Sequence, residues 1–243
     1  MNDRIEEIRE FFERKISMLN QNDDDMKIIG MLVLLDCLAQ HYAQYPTKRT
    51  QEAFVGFVIE FSKSKWAFWE WVDPVTLYYH LSLSDIPLLG TPTLQCVSDS
   101  CIHTPYDSGF KENADILLHL IMDSQTREVM RAKHQYARLL YKMRSKIIHE
   151  LNKPFPLFSR TEVEYNGRLP FYYSMGGGLE NATHGERIRQ RSTTWHLVFP
   201  PEFIELVLRE CVKNYLEHCL LHELDPFVHN SPCRKFYLSW YDS

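Results

Sequence analysis

No window of this chain approaches ~18 consecutive apolar residues, so none of it is expected to span a membrane. It has no internal repeat and no low-complexity tract, which sets aside solenoid arrays and biased linkers. It lacks a surplus of positive charge. The formal net charge is −5, which opposes non-specific binding to nucleic acid, so any such role needs a local basic patch. A secretory signal is not expected either, because Met1-Asn2-Asp3-Arg4-Ile5-Glu6-Glu7 is charged and helix-patterned, and the expectation is a cytoplasmic protein. The six cysteines match no standard zinc spacing. Cys96, Cys101 and His103 lie close together but show no fourth ligand, so reduced thiols are expected, with no metal and no cofactor.

What is present is enough apolar and aromatic residue to build a core. The apolar fraction of 44% and aromatic fraction of 13% argue against a disordered chain, and 243 residues fit one domain. Ile5, Ile8, Phe12, Ile16 and Leu19 recur at helical spacing over 2–19. Asn22-Asp23-Asp24-Asp25 is a capping run for a second helix to about Tyr42, apolar on nearly all sides and therefore central. Further helices are predicted at 50–62 and 75–81, the second capped by Asp73-Pro74. Others follow at 113–122, at 126–151 as one long helix, and at 202–223.

Residues 85–109, with Pro87, Gly90, Pro92, Pro105 and Gly109, read as an irregular loop. Residues 160–199 change character. An alternating segment at 161–165, an Asn166-Gly167 turn and an extended aromatic segment at 169–173 predict a hairpin, and 194–199 predicts a further strand. The expected architecture is a single mainly α domain over 1–243. It is a helical bundle with a small β insertion between its last two long helices and a closing helix at 200–224.

The chemistry concentrates in Tyr141-Lys142-Met143-Arg144-Ser145-Lys146-Ile147-Ile148-His149-Glu150. An always-charged guanidinium stands five positions before a group that exchanges protons near neutrality, which suffices for metal-free phosphodiester cleavage. The same spacing recurs at Arg191 and His196, but there in a loop turning into a strand. Five positions on a helix turn roughly 500°, so Arg144 and His149 stand about 140° apart. Arg144 flanks the apolar stripe, and its bland reading is an ion pair with the otherwise lonely Asp36. His149 ends the polar row of Arg138, Lys142 and Ser145. Arg131, Arg138, Lys142 and Lys146 form one basic row, and Arg187, Arg189 and Arg191 another. The bland reading of either is a solvated face. His218 and His222 are read as a solvated pair rather than a chelate.

Leu34-Leu35-Asp36-Cys37-Leu38-Ala39-Gln40, then Phe54-Val55-Gly56-Phe57-Val58, then Leu139 through Glu150 follow one another in an order that resembles the HEPN domains (higher eukaryotes and prokaryotes nucleotide-binding). The resemblance covers about residues 25–155, and the helix ending at Asp225-Pro226-Phe227 is similar to the family's closing helix. It implies a metal-independent endoribonuclease in a bacterial defence or toxin-like setting, with RNA as substrate and an antitoxin or regulatory protein as a possible partner. It also implies a homodimer whose paired motifs line one cleft. On that reading Arg144 stabilises the phosphorane and His149 is the acid or base. Asp36 and Ser145 support them, and Arg138, Lys142 and Lys146 hold RNA. Active members often carry Asn, Asp or His immediately after the arginine, where this chain has Ser145. The other expectation, from a different class, is a non-catalytic HEPN-like module that binds a nucleotide or protein. The net negative charge, Ser145 and the β insertion point that way.

Overall fold

Helices with a buried apolar stripe account for most of the fold. The computed structural model describes residues 2–42, 50–97, 102–150, 157–158, 168–175 and 194–226; side chains at 2–3, 148–150, 157–158, 175 and 194 are outside that description. The helices are α1 (Asn2–Leu19), α2 (Asp24–Tyr42), α3 (Thr50–Ser62), α4 (Pro74–Leu83), α5 (Phe110–His119), α6 (Ser124–Lys133), α7 (Tyr136–Glu150) and α8 (Pro201–Leu221), with a 3₁₀ turn at Ala67–Glu70. Strands β1 (Leu157–Phe158), β2 (Phe171–Met175) and β3 (Thr194–Val198) lie between α7 and α8, so the chain is mainly helical with a small inserted sheet.

The capping reading holds for α2: the Asp23 carboxylate accepts from the Met26 N–H at 3.0 Å, and Asp24 and Asp25 sit in the first turn, where the helix dipole favours negative charge. The main core joins α1, α2, α3, α7 and α8. Phe12, Leu35, Phe54, Met143 and Phe203 are buried in it. Each such side chain contributes about 1.5–3 kcal/mol through burial. A smaller apolar cluster joins α4, α5 and α6 through Leu77, Leu81, Leu117, Leu118 and Met130.

The helix expected over 126–151 is two helices. α6 ends at Lys133, and His134 leaves helical geometry with φ −105° and ψ 13°. Backbone from 71–73 supplies the reason. Asp73 N–H donates to the His134 carbonyl at 2.9 Å, Tyr136 N–H donates to the Trp71 carbonyl at 3.2 Å, and Val72 pairs with Gln135 in an antiparallel bridge. Those bonds replace the intrahelical ones a continuous helix would make, so no proline or glycine marks the break. α5 also begins earlier than expected. Gly109, at φ +89°, turns the chain into it, and Asn113 is spent on holding the preceding loop. The Asn113 carbonyl oxygen accepts from Gln95 N–H at 3.2 Å, and its amide donates to the Thr93 carbonyl at 3.3 Å. Among the described residues, the irregular 85–109 stretch pairs only through isolated bridges, Leu88 to Ile121 and His103 to Tyr172.

β3 is the central strand of the sheet, parallel to β1 and antiparallel to β2, with Leu197 opposite both Leu157 and Tyr172. The extended segment expected at 169–173 therefore pairs with β3. The predicted hairpin partner and its turn, 161–167, lie outside the described residues, as does the aromatic tail beyond 226.

Candidate functional site

α7 carries the candidate residues on two of its sides. On the core side, the Arg144 guanidinium donates to the Asp36 carboxylate of α2 at 2.5 Å, with side-chain exposures of 10% and 16%. Arg144 also lies 5.7 Å from the centroid of the Tyr141 ring, within cation–π range. Phe54 of α3 packs on the same Tyr141 ring, with centroids 5.5 Å apart. Burial raises the Tyr141 pKa, while the adjacent Arg144 charge lowers it. The ion pair expected from sequence is thus formed, and it fixes the arginine between a carboxylate and a ring.

On its other side α7 lines a groove of about 560 Å³ together with residues of α6 and Gln51 of α3. Lys133, Arg138, Lys142 and Lys146 line it, and among the described residues no carboxylate does. Ser145 and Tyr141 line it as well, so Tyr141 joins the groove to Arg144. Three of the residues expected to hold RNA, Arg138, Lys142 and Lys146, are brought together here, and Lys133 is a fourth cation that the periodicity of an uninterrupted helix would not have placed. The Lys142 pKa is lowered by burial and then by the charges of Lys133 and Lys146. Crowded cations of this kind favour an anionic ligand, because its charge relieves both costs.

The break between α6 and α7 adds a group that sequence reasoning did not single out. His134 also lines the groove, is 4% exposed, and has its Nδ1 3.0 Å from the Thr76 hydroxyl. Its Nε2 is buried with no hydrogen-bond partner among the described residues. Burial, then the charges of His80, Lys133 and Lys142, push its pKa down to about 3, so the ring is neutral at pH 7. Behind Thr76 stands Asp73, fully buried. It accepts from Val75 N–H at 3.2 Å, Thr76 N–H at 2.9 Å and the Tyr172 hydroxyl at 2.6 Å. The Tyr136 hydroxyl in turn bonds to that of Tyr172. Asp73 was legible as a helix cap. Its second role, tying β2 to α4 and to the groove, depends on partners far apart in the chain.

The remaining candidates are dispersed. His149 lies on the last turn of α7, and its side chain is outside the described residues. Of the second Arg–His pair, Arg191 is outside the description and His196 is buried on β3. His218 and His222 lie side by side with ring centroids 4.4 Å apart and planes tilted by 47°. Cys101 is outside the description, and burial raises the Cys96 thiol to about 12, with the Asp73 charge adding to it. Among the described residues no three His, Cys, Asp or Glu side chains gather as a metal site, and no helix is long and apolar enough to cross a membrane. Comparisons with protein-family models, with curated proteins and with solved structures find no match to this chain.

Proposed function

We propose that this chain is a HEPN-type, metal-independent endoribonuclease whose RNA path is the groove between α6 and α7. The observation that carries the reading is a groove lined by four cations and, among the described residues, no carboxylate, in a chain of net charge −5. Local charge of this kind attracts a phosphodiester backbone even when the whole molecule is acidic. Arg144, oriented by Asp36, stabilises the negative charge that builds on the phosphorane, and His149 transfers the proton of the ribose hydroxyl or of the leaving oxygen. The products are a cyclic phosphate and a 5′-hydroxyl. DNA is not cut, because it lacks the attacking hydroxyl. The angular offset of Arg144 and His149 on one helix is met by a homodimer in which two copies of the motif line one cleft.

Reversing groove charge tests this. In fluorescence-anisotropy titrations of a short single-stranded RNA, the Arg138→Glu/Lys142→Glu protein is expected to bind at least about tenfold more weakly, with a salt dependence shallower by about two phosphate contacts. Lys213→Glu, on the exposed side of α8, is expected to leave both unchanged. Light scattering on the wild-type sample is expected to give a dimer. RNA affinity indifferent to the groove reversal would remove the RNA path.

A second reading has its own support. Arg144 is 8% exposed and engaged with Asp36, which suits a structural arginine. In that case the chain is a non-catalytic HEPN-like binding module. Tight binding of RNA, a nucleotide or a partner protein without cleavage under any condition would establish it.

A further inference from the structure

We propose that Tyr141 is a substrate-binding residue of the groove: its hydroxyl donates a hydrogen bond to a phosphate oxygen of the RNA backbone, from the same ring that Arg144 packs against. This rests on the proposed RNA path and adds to it a neutral donor outside both the Arg–His motif and the basic row.

The two ends of this side chain are held differently. The ring is anchored on the core side, by Phe54 with centroids 5.5 Å apart and by the Arg144 guanidinium 5.7 Å from the ring centroid. Its other side lines the groove. The hydroxyl makes no hydrogen bond among the described residues, and it is not one of the buried polar atoms left without a partner, so it keeps contact with solvent. Burial raises the phenol pKa, so the group is protonated and able to donate at neutral pH.

The surroundings select a phosphate as the acceptor. Lys142 follows Tyr141 directly, and Arg138 lies on the turn before it, on the same helix. Elsewhere on the molecule Lys27, Lys63 and Lys65 each pair with a glutamate. Lys133, Arg138 and Lys142 pair with no carboxylate among the described residues. The groove therefore presents unneutralised positive charge around a hydroxyl donor. A phosphodiester brings negative charge and non-bridging oxygens that only accept, so it satisfies both at once. Hydrogen bonds to an ionised acceptor are stronger than those between neutral groups, which favours the phosphate over a base carbonyl. Because the same ring carries Arg144, a phosphate fixed at the hydroxyl sets the register of the RNA relative to the guanidinium.

The test uses the full chain with His149→Ala, so that RNA stays intact, and adds Tyr141→Phe, which removes the hydroxyl and keeps the ring. Binding of oligouridylate and of oligoadenylate is followed over a range of salt. Tyr141→Phe is expected to weaken both by about tenfold, the worth of one hydrogen bond to a charged acceptor. Its salt slope is expected to match the parent's, because no charge is lost. Lys142→Gln is expected to weaken both and to lower the slope by about one phosphate contact. The melting temperature of Tyr141→Phe is expected to equal the parent's, since the hydroxyl bonds to nothing else among the described residues. RNA affinity unchanged by Tyr141→Phe overturns the inference and leaves the RNA path standing. A loss on only one of the two oligonucleotides assigns the contact to a base and overturns it as well. Failure of the parent to bind either oligonucleotide removes the RNA path itself. Carbon NMR of the parent does not depend on Tyr141→Phe folding. The Tyr141 Cζ resonance is expected to shift on saturation with RNA, and a resonance that stays in place would overturn the inference.

Discussion

Arg144→Met is expected to destabilise the protein by about 3 kcal/mol, and Arg144→Met combined with Asp36→Leu to recover most of that loss. The single substitution leaves the Asp36 carboxylate, with a side chain only 16% exposed, without its guanidinium, and removing one partner of a buried pair costs about 3–5 kcal/mol. The loss should fall at the low end, because residual exposure lets water reach the charge. Replacing both groups by apolar side chains of similar size removes the desolvation cost together with the attraction, and exchanges of that kind are often neutral. Urea unfolding measures this as a shift in midpoint at constant slope. If the single variant lies within about 0.5 kcal/mol of wild type, the pair is a surface contact. The double variant has a second use. It is expected to be folded and inactive, which separates the chemistry of Arg144 from its contribution to stability.

Asp73→Ala is expected to cost still more, about 3–5 kcal/mol. The carboxylate caps α4 through the Val75 and Thr76 N–H groups, a contribution of about 0.5–2 kcal/mol. It is also the acceptor for the Tyr172 hydroxyl, and Tyr172 is bonded in turn to Tyr136 at the start of α7. Removing it leaves several buried donors unsatisfied, at about 1–3 kcal/mol each before relaxation. Tyr172→Phe should cost about 1–2 kcal/mol, since it removes one donor and leaves the cap intact. Thermal melts of the two variants give the order directly. No loss in Tyr172→Phe would mean that the network ends at the cap and does not bind the sheet to the bundle.

The contrast between Arg144 and Asp73 shows where sequence stops informing. α1, α2, α3 and α8 are legible because their apolar periods and caps are local, and each spans enough turns for the pattern to dominate. The Arg144–Asp36 pair is legible because a lone carboxylate in an apolar helix needs a cation, and few cations border the core. β2 and β3 are legible from the extended aromatic segments at 169–173 and 194–199, whereas β1 precedes the expected insertion. The break at His134 is not, because the bonds that stop α6 come from residues 71–73, and helix propensity on either side is continuous. The same break places Lys133 and His134 in the groove, so its full lining could not be read from one helical wheel. The Asp73–Tyr172 bond joins residues 99 apart and Thr76–His134 joins residues 58 apart. No local pattern encodes either.

The central question is whether Arg144 and His149 cut RNA beside this groove. The most direct measurement is to incubate the purified protein with mixed tRNA and mRNA in excess EDTA and to map new 5′-hydroxyl ends. Wild type is expected to produce such ends on RNA and none on DNA. His149→Ala and the Arg144→Met/Asp36→Leu protein, both folded, are expected to produce none. Cleavage that needs an added divalent metal, or that proceeds at the wild-type rate in either variant, would contradict the account.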